Sequence, residues 1–508
     1  MTPPGPRASL SGADGGIQGD RPGDPCVLVI FGATGDLTHR ELLPSLYELA
    51  AQDLLPEPFA VVGFARREWD DETFRREMEA AVREDCAFRE ETWEPLARRL
   101  HFVCGDFGAP PEGAWSLLAR RIEEIREEHG IPDNLLFHLA TPPSFFTTVT
   151  QRLDASGLAR SPEGYRRLIV EKPFGRDRAS ARELDEALAR VFDEDQTYRI
   201  DHYLGKETVQ NMLVFRFANP GFEPIWNRDH VDHIQITAAE SIGIGSRAGF
   251  YEETGVVRDM VQNHLLQLLC MVTMDPPVRF DGTGVRNETA KILRAIEPPD
   301  PDQDAVRGQY APGCVAGDDV RGYRDEEGVA DDSVTPTFAA LRLTIDTWRW
   351  ADVPIYLRTG KRLARKSTEV SIHFKPTPRA MFPGRSPGAR HVLTFRLAPD
   401  EGIHRTFTAK RPGPAFSLQD VSLDFCYADA FEIDEPPRAY AWLLMDAMQG
   451  DATLFARRDW IDRAWEIVDP VVEAWEDAPG VPTYEAGSQG PAQARELLSR
   501  EGRAWMQI

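Results

Sequence analysis

Two short polar segments carry side chains whose types and spacing suit acid–base chemistry. Residues 199–206 read Arg-Ile-Asp-His-Tyr-Leu-Gly-Lys and place a carboxylate, an imidazole, a phenol and an ammonium close together. Residues 256–266 have a helical pattern and carry His264 on an apolar face, where a lone histidine is more often a core residue. Pairing with a carboxylate such as Asp201 would make His264 a general base, because the carboxylate fixes the tautomer and stabilises the imidazolium.

Other polar groups could complete a site for a phosphorylated sugar. Residues 171–175 (Glu-Lys-Pro-Phe-Gly) end a predicted parallel strand, where α/β proteins bind ligands, so Lys172 could reach both cofactor and substrate. Glu240 continues the apolar face of another predicted strand, where it could contact sugar hydroxyls. A cluster of cations suits a phosphate group and comprises Arg358, Lys361, Arg362, Arg365 and Lys366. The alternatives are an exposed ion pair at Lys172 and a basic surface loop for the cationic cluster.

His230, Asp232 and His233 resemble a metal-binding cluster, but their spacing argues against one. On the strand predicted here, residues 230 and 233 project to opposite faces, so the two imidazoles cannot bind one ion. The six cysteines are scattered, with no close pair at metal or redox spacing, which is typical of free thiols in a reducing compartment. We therefore predict no metal site.

A glycine turn near the N-terminus is typical of a phosphate-binding site. Gly32 and Gly35 lie between a buried apolar strand and a helix, whose N-terminus favours negative charge. Because the spacing departs from G-x-G-x-x-G, an ordinary tight turn is the alternative. Arg66 and Arg67 end the next strand, where an NAD site usually has an acid, so the sequence favours NADP.

The next two predicted strands end at the same edge of the sheet. Asp106 and Phe107 follow one of them, and a Thr-Pro-Pro turn that ends at Pro143 follows the other. We expect these residues to line the dinucleotide channel, although ordinary loop structure explains them equally well.

The elements that must position these residues fall into two patterns. Strands alternate with helices through residue 200, which predicts βαβ units and a doubly wound, Rossmann-like parallel sheet. The later chain predicts an α+β region with a large, mainly antiparallel sheet, from period-2 stretches at 231–238, 337–347, 367–375 and 391–397 and helices at 255–274 and 438–450. We predict a disordered leader at 1–25, a dinucleotide-binding domain at 26–204 and a substrate-binding and oligomerisation domain at 205–508. The Asp-, Gly- and Pro-rich segment 297–335 is expected to be an exposed excursion.

Composition narrows the classes of function. The 508 residues carry a net charge of −24, which argues against binding to nucleic acid or to an anionic membrane surface. No apolar run is long enough to span a bilayer and the N-terminus lacks the apolar core of a signal peptide, so we predict a cytoplasmic protein.

Five motifs in this order and spacing resemble the glucose-6-phosphate dehydrogenase family. They lie at residues 32–37, 171–175, 199–207, 258–264 and 358–361. The resemblance implies oxidation of C1 of glucose 6-phosphate to 6-phosphoglucono-1,5-lactone by hydride transfer to NADP, the first step of the pentose phosphate pathway. It also implies a homodimer or homotetramer and a cis peptide before Pro173. A second, structural NADP site cannot be assigned from these residues.

Residue roles follow from the same resemblance. His264 is implied as the general base and Asp201 as the carboxylate that orients it. The implied substrate contacts are Lys172, His202, Tyr203, Lys206, Glu240, Asp259, Lys361 and Lys366. The implied cofactor contacts are Gly32, Thr34, Gly35, Asp36, Leu37, Arg66, Asp106, Phe107 and Lys172. The alternatives are a sugar-phosphate sensor without turnover, and an oxidoreductase that uses another phosphorylated sugar or takes NAD or a deazaflavin.

Overall fold

The computed structural model describes residues 21–379, 381–382, 391–432 and 438–508. Most of the predicted leader, residues 1–20, lies outside the described residues.

A seven-stranded sheet forms the first half of the described chain. Its strands are β1 Cys26–Phe31, β2 Phe59–Ala65, β3 Leu100–Cys104, β4 Leu135–Leu139, β5 Arg166–Val170, β6 Thr197–Ile200 and a late strand, Phe455–Ala456. The order is late strand-β6-β5-β4-β1-β2-β3, and β1 to β6 pair in parallel. The predicted doubly wound sheet is therefore confirmed. Because β1 pairs with both β2 and β4, the strand order reverses there, and ligands bind at the carboxyl ends of such strands.

Helices connect these strands as the alternating pattern predicts. They are α1 Leu43–Ala51, α2 Asp71–Asp85, α3 Glu90–Ala97, α4 Ser116–His129, α5 Phe146–Ala155 and α6 Arg178–Ala189. A π-helical turn, Thr38–Leu42, leads without a break into α1, whose second residue is Pro44. The glycine turn is thus followed within a few residues by a helix.

A nine-stranded sheet dominates the second half of the described chain. In chain order its strands are β7 Val231–Ala239, β8 Ala305–Ala311, β11 Phe338–Leu343, β12 Ile355–Gly360, β13 Ser367–Phe374, β14 Val392–Ala398, β15 Gly402–Lys410, β16 Leu418–Cys426 and β18 Thr483–Glu485. The labels β9 and β10 denote the hairpin Gly313–Val315 and Asp318–Val320, and β17 denotes Phe455–Ala456. The spatial order is β16-β15-β14-β13-β7-β12-β11-β8-β18, antiparallel except for the β7–β12 and β8–β18 pairs. The predicted α+β architecture is confirmed.

The helices of the second half pack against the large sheet and against helices of the first half. They are α7 Glu207–Phe217, α8 Ala248–Val256, α9 Leu266–Thr273, α10 Gly282–Ala295, α11 Tyr427–Phe431, α12 Ala439–Gln449, α13 Arg458–Asp477 and α14 Ala492–Ser499. A π-helical segment, Val257–Leu265, joins α8 to α9 and packs against α13. α12 packs against α1, next to the nucleotide turn.

The prediction of an exposed excursion at 297–335 is wrong for β8 and for the buried tyrosines, whereas most residues at 312–334 are exposed. This segment contains β8, which pairs with β11 inside the large sheet, and it buries Tyr310 and Tyr323. The polar composition suggested exposure, but the polar side chains of β8 are buried because they donate hydrogen bonds to backbone carbonyls. Arg307 donates to the carbonyl of Trp475, and Gln309 donates to the carbonyls of Ser333 and Thr335 at 3.1 and 3.0 Å.

One element crosses the predicted boundary near residue 204. β17 comes from the C-terminal half, yet it pairs antiparallel with β6 at the edge of the first sheet. The division into two domains at residue 204 stays a prediction.

Candidate active site

Asp201 and His264 meet at the centre of the structure. Asp201 follows β6, and His264 lies on the π-helical segment 257–265. His264 Nδ1 is 2.5 Å from Asp201 Oδ1, and both residues are buried, at 1% and 3% exposure. The backbone N–H of Tyr203 also donates to Asp201 Oδ1 at 3.0 Å, which holds the carboxylate in a turn. The structure thus brings together the two residues on which the predicted chemistry depends.

Lys172 occupies the other side of the imidazole. Its Nζ lies 2.7 Å from His264 Nε2 and 3.5 Å from Asp259 Oδ1. The wider turns of a π-helix bring residues five apart, such as 259 and 264, toward one face, so a single ammonium reaches both. Because Lys172 can only donate, Nε2 accepts and Nδ1 carries the proton that is donated to Asp201. The ring is therefore a neutral Nδ1–H tautomer with its basic nitrogen aimed at Lys172.

The electrostatics of this group suit a general base. Burial raises the pKa of Asp201, but the charge and hydrogen bond of His264 outweigh it and lower that pKa to about 2. Burial lowers the pKa of His264, the Lys172 charge lowers it further, and Asp201 opposes both. Burial also lowers the pKa of His202, with the charges of His264 and Lys172 adding to the effect. At neutral pH the site therefore holds an ionised carboxylate beside uncharged imidazoles.

Aromatic and cationic side chains surround the imidazole on the side of residues 202–206. The Tyr203 ring stacks on His264 with centroids 4.2 Å apart, and the His202 ring crosses it at 4.6 Å. The ammonium of Lys206 lies 4.7 Å from the Tyr203 ring centroid. Burial lowers the pKa of Lys206, and the charge of the exposed Lys366 contributes to that lowering. The four predicted phosphate contacts therefore form one group beside the base.

The predicted sugar contacts converge from two neighbouring strands. β7 and β12 pair in parallel with Ala239 opposite Gly360, so the residues that follow, Glu240 and Lys361, emerge side by side. Lys361 Nζ donates to Glu240 Oε2 at 2.5 Å. Asp259 is the third member: burial raises its pKa, but the charges of Lys172 and Lys361 bring the net effect below the usual value.

The glycine turn of the first sheet has the shape of a phosphate cradle. Gly32 has φ +88°, and a Cβ there would lie 2.2 Å from the carbonyl oxygen of Ala140. A Cβ on Gly35 would lie 3.1 Å from the Gly32 carbonyl oxygen, so larger residues would crowd the turn. Thr34 and Leu37 are partly exposed beside it, and Asp36 pairs with Arg40 at 2.8 Å. The turn opens at the carboxyl end of β1, where the strand order reverses, so the residues present fit a dinucleotide pyrophosphate.

The remaining predicted cofactor residues lie along the same edge. Arg66 and Arg67 are exposed after β2, and the Arg67 guanidinium lies 5.4 Å from the Trp69 ring centroid. Asp106 accepts the Gly108 N–H at 2.8 Å after β3, and Pro143 is exposed after β4. The Phe107 side chain is buried in an aromatic cluster with Phe31, Phe64 and Phe145. Its predicted contact with the cofactor stays a prediction.

Sequence reasoning missed several neighbours of the site. The charge of Arg247 contributes to the lowered pKa of Asp259. Tyr484 donates to the Lys361 carbonyl oxygen at 2.6 Å, and the Tyr251 ring lies 5.2 Å from the Lys361 ammonium. Tyr484 gave no sequence signal because it is more than a hundred residues from its partner. Arg247 follows Glu240 closely and could have been grouped with it.

Asp201, His202 and His264 also offer ligand atoms that lie within 4.8 Å of one another. The hydrogen bond between Asp201 and His264 and the packing of the His202 ring on His264 account for this closeness without an ion. The absence of a metal site stays a prediction.

Comparisons with known proteins agree with this geometry. Residues 29–211 match the family model described as the glucose-6-phosphate dehydrogenase NAD binding domain, and residues 213–506 match the C-terminal domain of the same family. The chain belongs to the glucose-6-phosphate dehydrogenase family. It is 47% identical to glucose-6-phosphate 1-dehydrogenase 2 of Mycobacterium bovis over 95% of this chain and 94% of the relative. It is 45% identical to glucose-6-phosphate 1-dehydrogenase of Aggregatibacter actinomycetemcomitans over 94% of this chain and 97% of the relative.

Solved structures of the family share the fold. One, described as glucose-6-phosphate dehydrogenase in complex with its substrate glucose-6-phosphate, superposes with a TM-score of 0.89 at 34% identity, covering 96% of this chain and 99% of that one. The enzyme from Mycobacterium avium gives a TM-score of 0.80 at 37% identity with the same coverage. The predicted family, fold class, oxidoreductase activity and cofactor, NADP, are confirmed. No helix in the described part of the chain is both long and apolar enough to cross a membrane.

Proposed function

We propose that this chain oxidises C1 of glucose 6-phosphate to the 1,5-lactone at the site built around His264. The observation that carries the proposal is the buried contact between His264 Nδ1 and Asp201 Oδ1, at 2.5 Å, with Nε2 left as the proton acceptor. When bound, NADP accepts the hydride that leaves C1. Removal of the hydroxyl proton by His264 avoids a protonated product, and a positioned base of this kind contributes about 10²- to 10⁴-fold.

Lys172 has two partners, which gives it a role in substrate entry. In the structure its ammonium covers His264 Nε2 at 2.7 Å, so the C1 hydroxyl must take its place before proton transfer. Asp259 Oδ1, 3.5 Å from Nζ, holds the displaced ammonium nearby. After proton transfer, the ionised Asp201 stabilises the imidazolium through Nδ1.

The binding groups divide into three sets around this centre. We assign the sugar phosphate to His202, Tyr203, Lys206 and Lys366, because phosphate contacts remote from C1 hold the sugar for reaction. We assign the sugar hydroxyls to Glu240, Lys361 and Asp259, whose carboxylates accept hydrogen bonds and whose ammonium donates them.

NADP fits along the edge of the first sheet. The pyrophosphate is assigned to the glycine turn, with Gly32, Thr34, Gly35, Asp36 and Leu37. Arg66 and Arg67 are assigned to the 2′-phosphate, because guanidinium groups donate paired hydrogen bonds to phosphate oxygens.

A panel of turnover assays tests the proposed reaction. Reduction of NADP is followed by absorbance with glucose 6-phosphate, with unphosphorylated glucose, and with NAD in place of NADP. We expect kcat/KM to be highest for glucose 6-phosphate with NADP. Turnover that does not depend on the phosphate group would contradict the assignment of residues 202–206.

We also propose a homodimer or homotetramer formed through the large sheet. β16 is the outermost of the described strands at one edge of that sheet, and Leu423 on it is 62% exposed. Phe416 and Phe431 flank this strand at 71% and 62% exposure, and exposed apolar groups at an unpaired edge are typical of an interface. Sedimentation equilibrium should give a multiple of the 57.0 kDa chain mass, and a monomer at all concentrations would contradict it.

A further inference from the structure

A second buried network lies directly behind Lys172. Glu171 follows β5 and is 7% exposed, and its two carboxylate oxygens face two different elements. His138 Nε2, on β4, is 2.9 Å from Oε1. The Tyr440 hydroxyl, on α12, donates to Oε2 at 3.1 Å. We propose that His138 and Tyr440 are positioning residues that hold the Glu171 carboxylate and so fix the peptide that presents Lys172 to His264.

The hydrogen bonds that His138 and Tyr440 make support a fixed position for the Glu171 carboxylate. His138 is fully buried, and its Nδ1 has no hydrogen-bond partner among the described residues, so Nε2 is the atom through which the ring is held. Burial raises the pKa of Tyr440, and the Glu171 charge raises it further, so the phenol keeps its proton and donates. Each carboxylate oxygen thus has one donor, and loss of either donor leaves a buried oxygen without a partner.

A buried carboxylate at this position stabilises the fold less than an apolar side chain would. Apolar side chains of similar size would pack between a strand and a helix without the cost of burying a charge. The carboxylate instead supplies directional contacts, because its hydrogen bonds to β4 and α12 fix the position of the end of β5. The next residue is Lys172, whose Nζ contacts both His264 and Asp259 before substrate enters. In the proposed reaction it yields Nε2 to the C1 hydroxyl and stays close to Asp259. A small displacement of such a group lowers the catalytic rate, because catalysis depends on near-contact geometry.

The start of α12 ties this network to both halves of the site. Arg438, just before the helix, donates to the carbonyl of Arg40 at 3.0 Å, next to the nucleotide turn. The carbonyl of Ala439 packs on Gly205, where a Cβ would lie 2.7 Å away, beside the segment of the phosphate contacts. Tyr440 therefore reaches Glu171 from an element that is itself anchored to the cofactor turn and to the substrate segment.

The inference rests on the proposed function, and three variants test it. Tyr440→Phe removes one donor, His138→Asn removes the donor at Nε2, and His138→Gln keeps an N–H close to the Nε2 position. We expect kcat to fall about 10- to 100-fold in the first two variants. His138→Gln should stay within about threefold of the unaltered chain. Tyr198→Phe, which alters a buried tyrosine on the neighbouring strand β6, is the matched control and should leave kcat unchanged.

The pH profile separates a positioning role from a purely structural one. The groups that face His264 are Asp201, Lys172, His202, Asp259 and Tyr203. Because the Lys172 charge lowers the pKa of His264, retreat of Lys172 should move the acid limb of kcat/KM to higher pH in Tyr440→Phe and His138→Asn. A fall in kcat with an unchanged acid limb, or a His138→Gln variant as impaired as His138→Asn, would overturn the proposal.

Crystal structures give a readout that does not depend on turnover. In Tyr440→Phe we expect Lys172 Nζ to leave hydrogen-bond distance of His264 Nε2, and an unmoved ammonium would overturn the proposal. If the unaltered chain fails to oxidise glucose 6-phosphate but Lys172 still moves in the variant, the proposed function fails while the positioning network stands.

Discussion

Replacement of Asp201 by asparagine isolates the contribution of its charge. The amide side chain introduced by Asp201→Asn can keep its oxygen at the Oδ1 position, where it would still accept from His264 Nδ1 and from the Tyr203 N–H. Its amide nitrogen would then take the place of Oδ2, a buried atom with no hydrogen-bond partner among the described residues. The change therefore preserves the geometry and the tautomer while it removes the negative charge that stabilises the imidazolium.

The structure gives the size of the effect. The Asp201 pKa falls from 3.8 to about 2 in spite of burial, mainly because of His264. Hydrogen bonds to charged groups contribute about 1.5 to 3 kcal/mol, so loss of the charge on Asp201 corresponds to a rate factor of about 10 to 150. Because Asp201 raises the pKa of His264, its loss should also move the acid limb of kcat/KM to lower pH.

The assay is steady-state NADP reduction across a pH series, with Asp229→Asn, an exposed aspartate, as the matched control. We expect the control to follow the unaltered chain. A kcat for Asp201→Asn within about threefold of the unaltered chain would refute the reasoning, since the stabilisation of a buried imidazolium is worth more than that. So would a large loss of rate with an acid limb that does not move.

Three further perturbations follow from the same structure. Lys172→Met should raise KM for glucose 6-phosphate and move the acid limb of kcat/KM to higher pH, because a cation leaves His264 Nε2; an unmoved limb would count against the contact. Changing Arg66 and Arg67 to glutamine should raise KM for NADP at least about tenfold and leave KM for NAD nearly unchanged; equal losses would refute the 2′-phosphate assignment. Burial raises the pKa of Asp71, but its hydrogen bonds and ion pairs outweigh burial and lower that pKa to about 2. Asp71 therefore stabilises the fold at pH values above its unfolded pKa of about 4, and this stabilisation is lost as the pH falls toward 2. The melting temperatures of Asp71→Asn and the unaltered chain should converge over that range, and a constant difference would contradict this.

The sequence predicts the parts of this structure that depend on local pattern. The apolar run of β1, the glycine turn after it and the helix beyond are contiguous, so a buried strand and a phosphate-binding turn can be inferred from neighbouring residues alone. The alternation of side chains between the two faces of β7 likewise places Glu240 correctly at the end of an apolar face.

The pairing of Asp201 with His264 required more than local pattern. Each lies in a polar segment, but the two are separated by more than sixty residues, so the residue types could only suggest the pair and the family resemblance gave it its roles. The fold closes the distance by placing the end of β6 beside the π-helical segment.

What the sequence does not predict arises from contacts between distant segments. β8 looks like a loop by composition because it contains glycine, arginine and glutamine, and only the carbonyls supplied by other segments make its polar residues tolerable in a sheet. β17 is two residues long, which is too short to show a periodic pattern in the sequence. The contact of Lys172 with His264 joins residues 92 positions apart, and the contact of Tyr440 with Glu171 behind it joins residues 269 positions apart.

The central claim is that His264 is the base, and His264→Asn tests it most directly. Asparagine can keep an N–H near the Nδ1 position for Asp201 while it removes the acceptor nitrogen Nε2. We predict that kcat falls by about 10²- to 10⁴-fold while the dissociation constant for glucose 6-phosphate stays within about threefold, with the exposed His230→Asn as control. Near-normal turnover in His264→Asn would contradict the account.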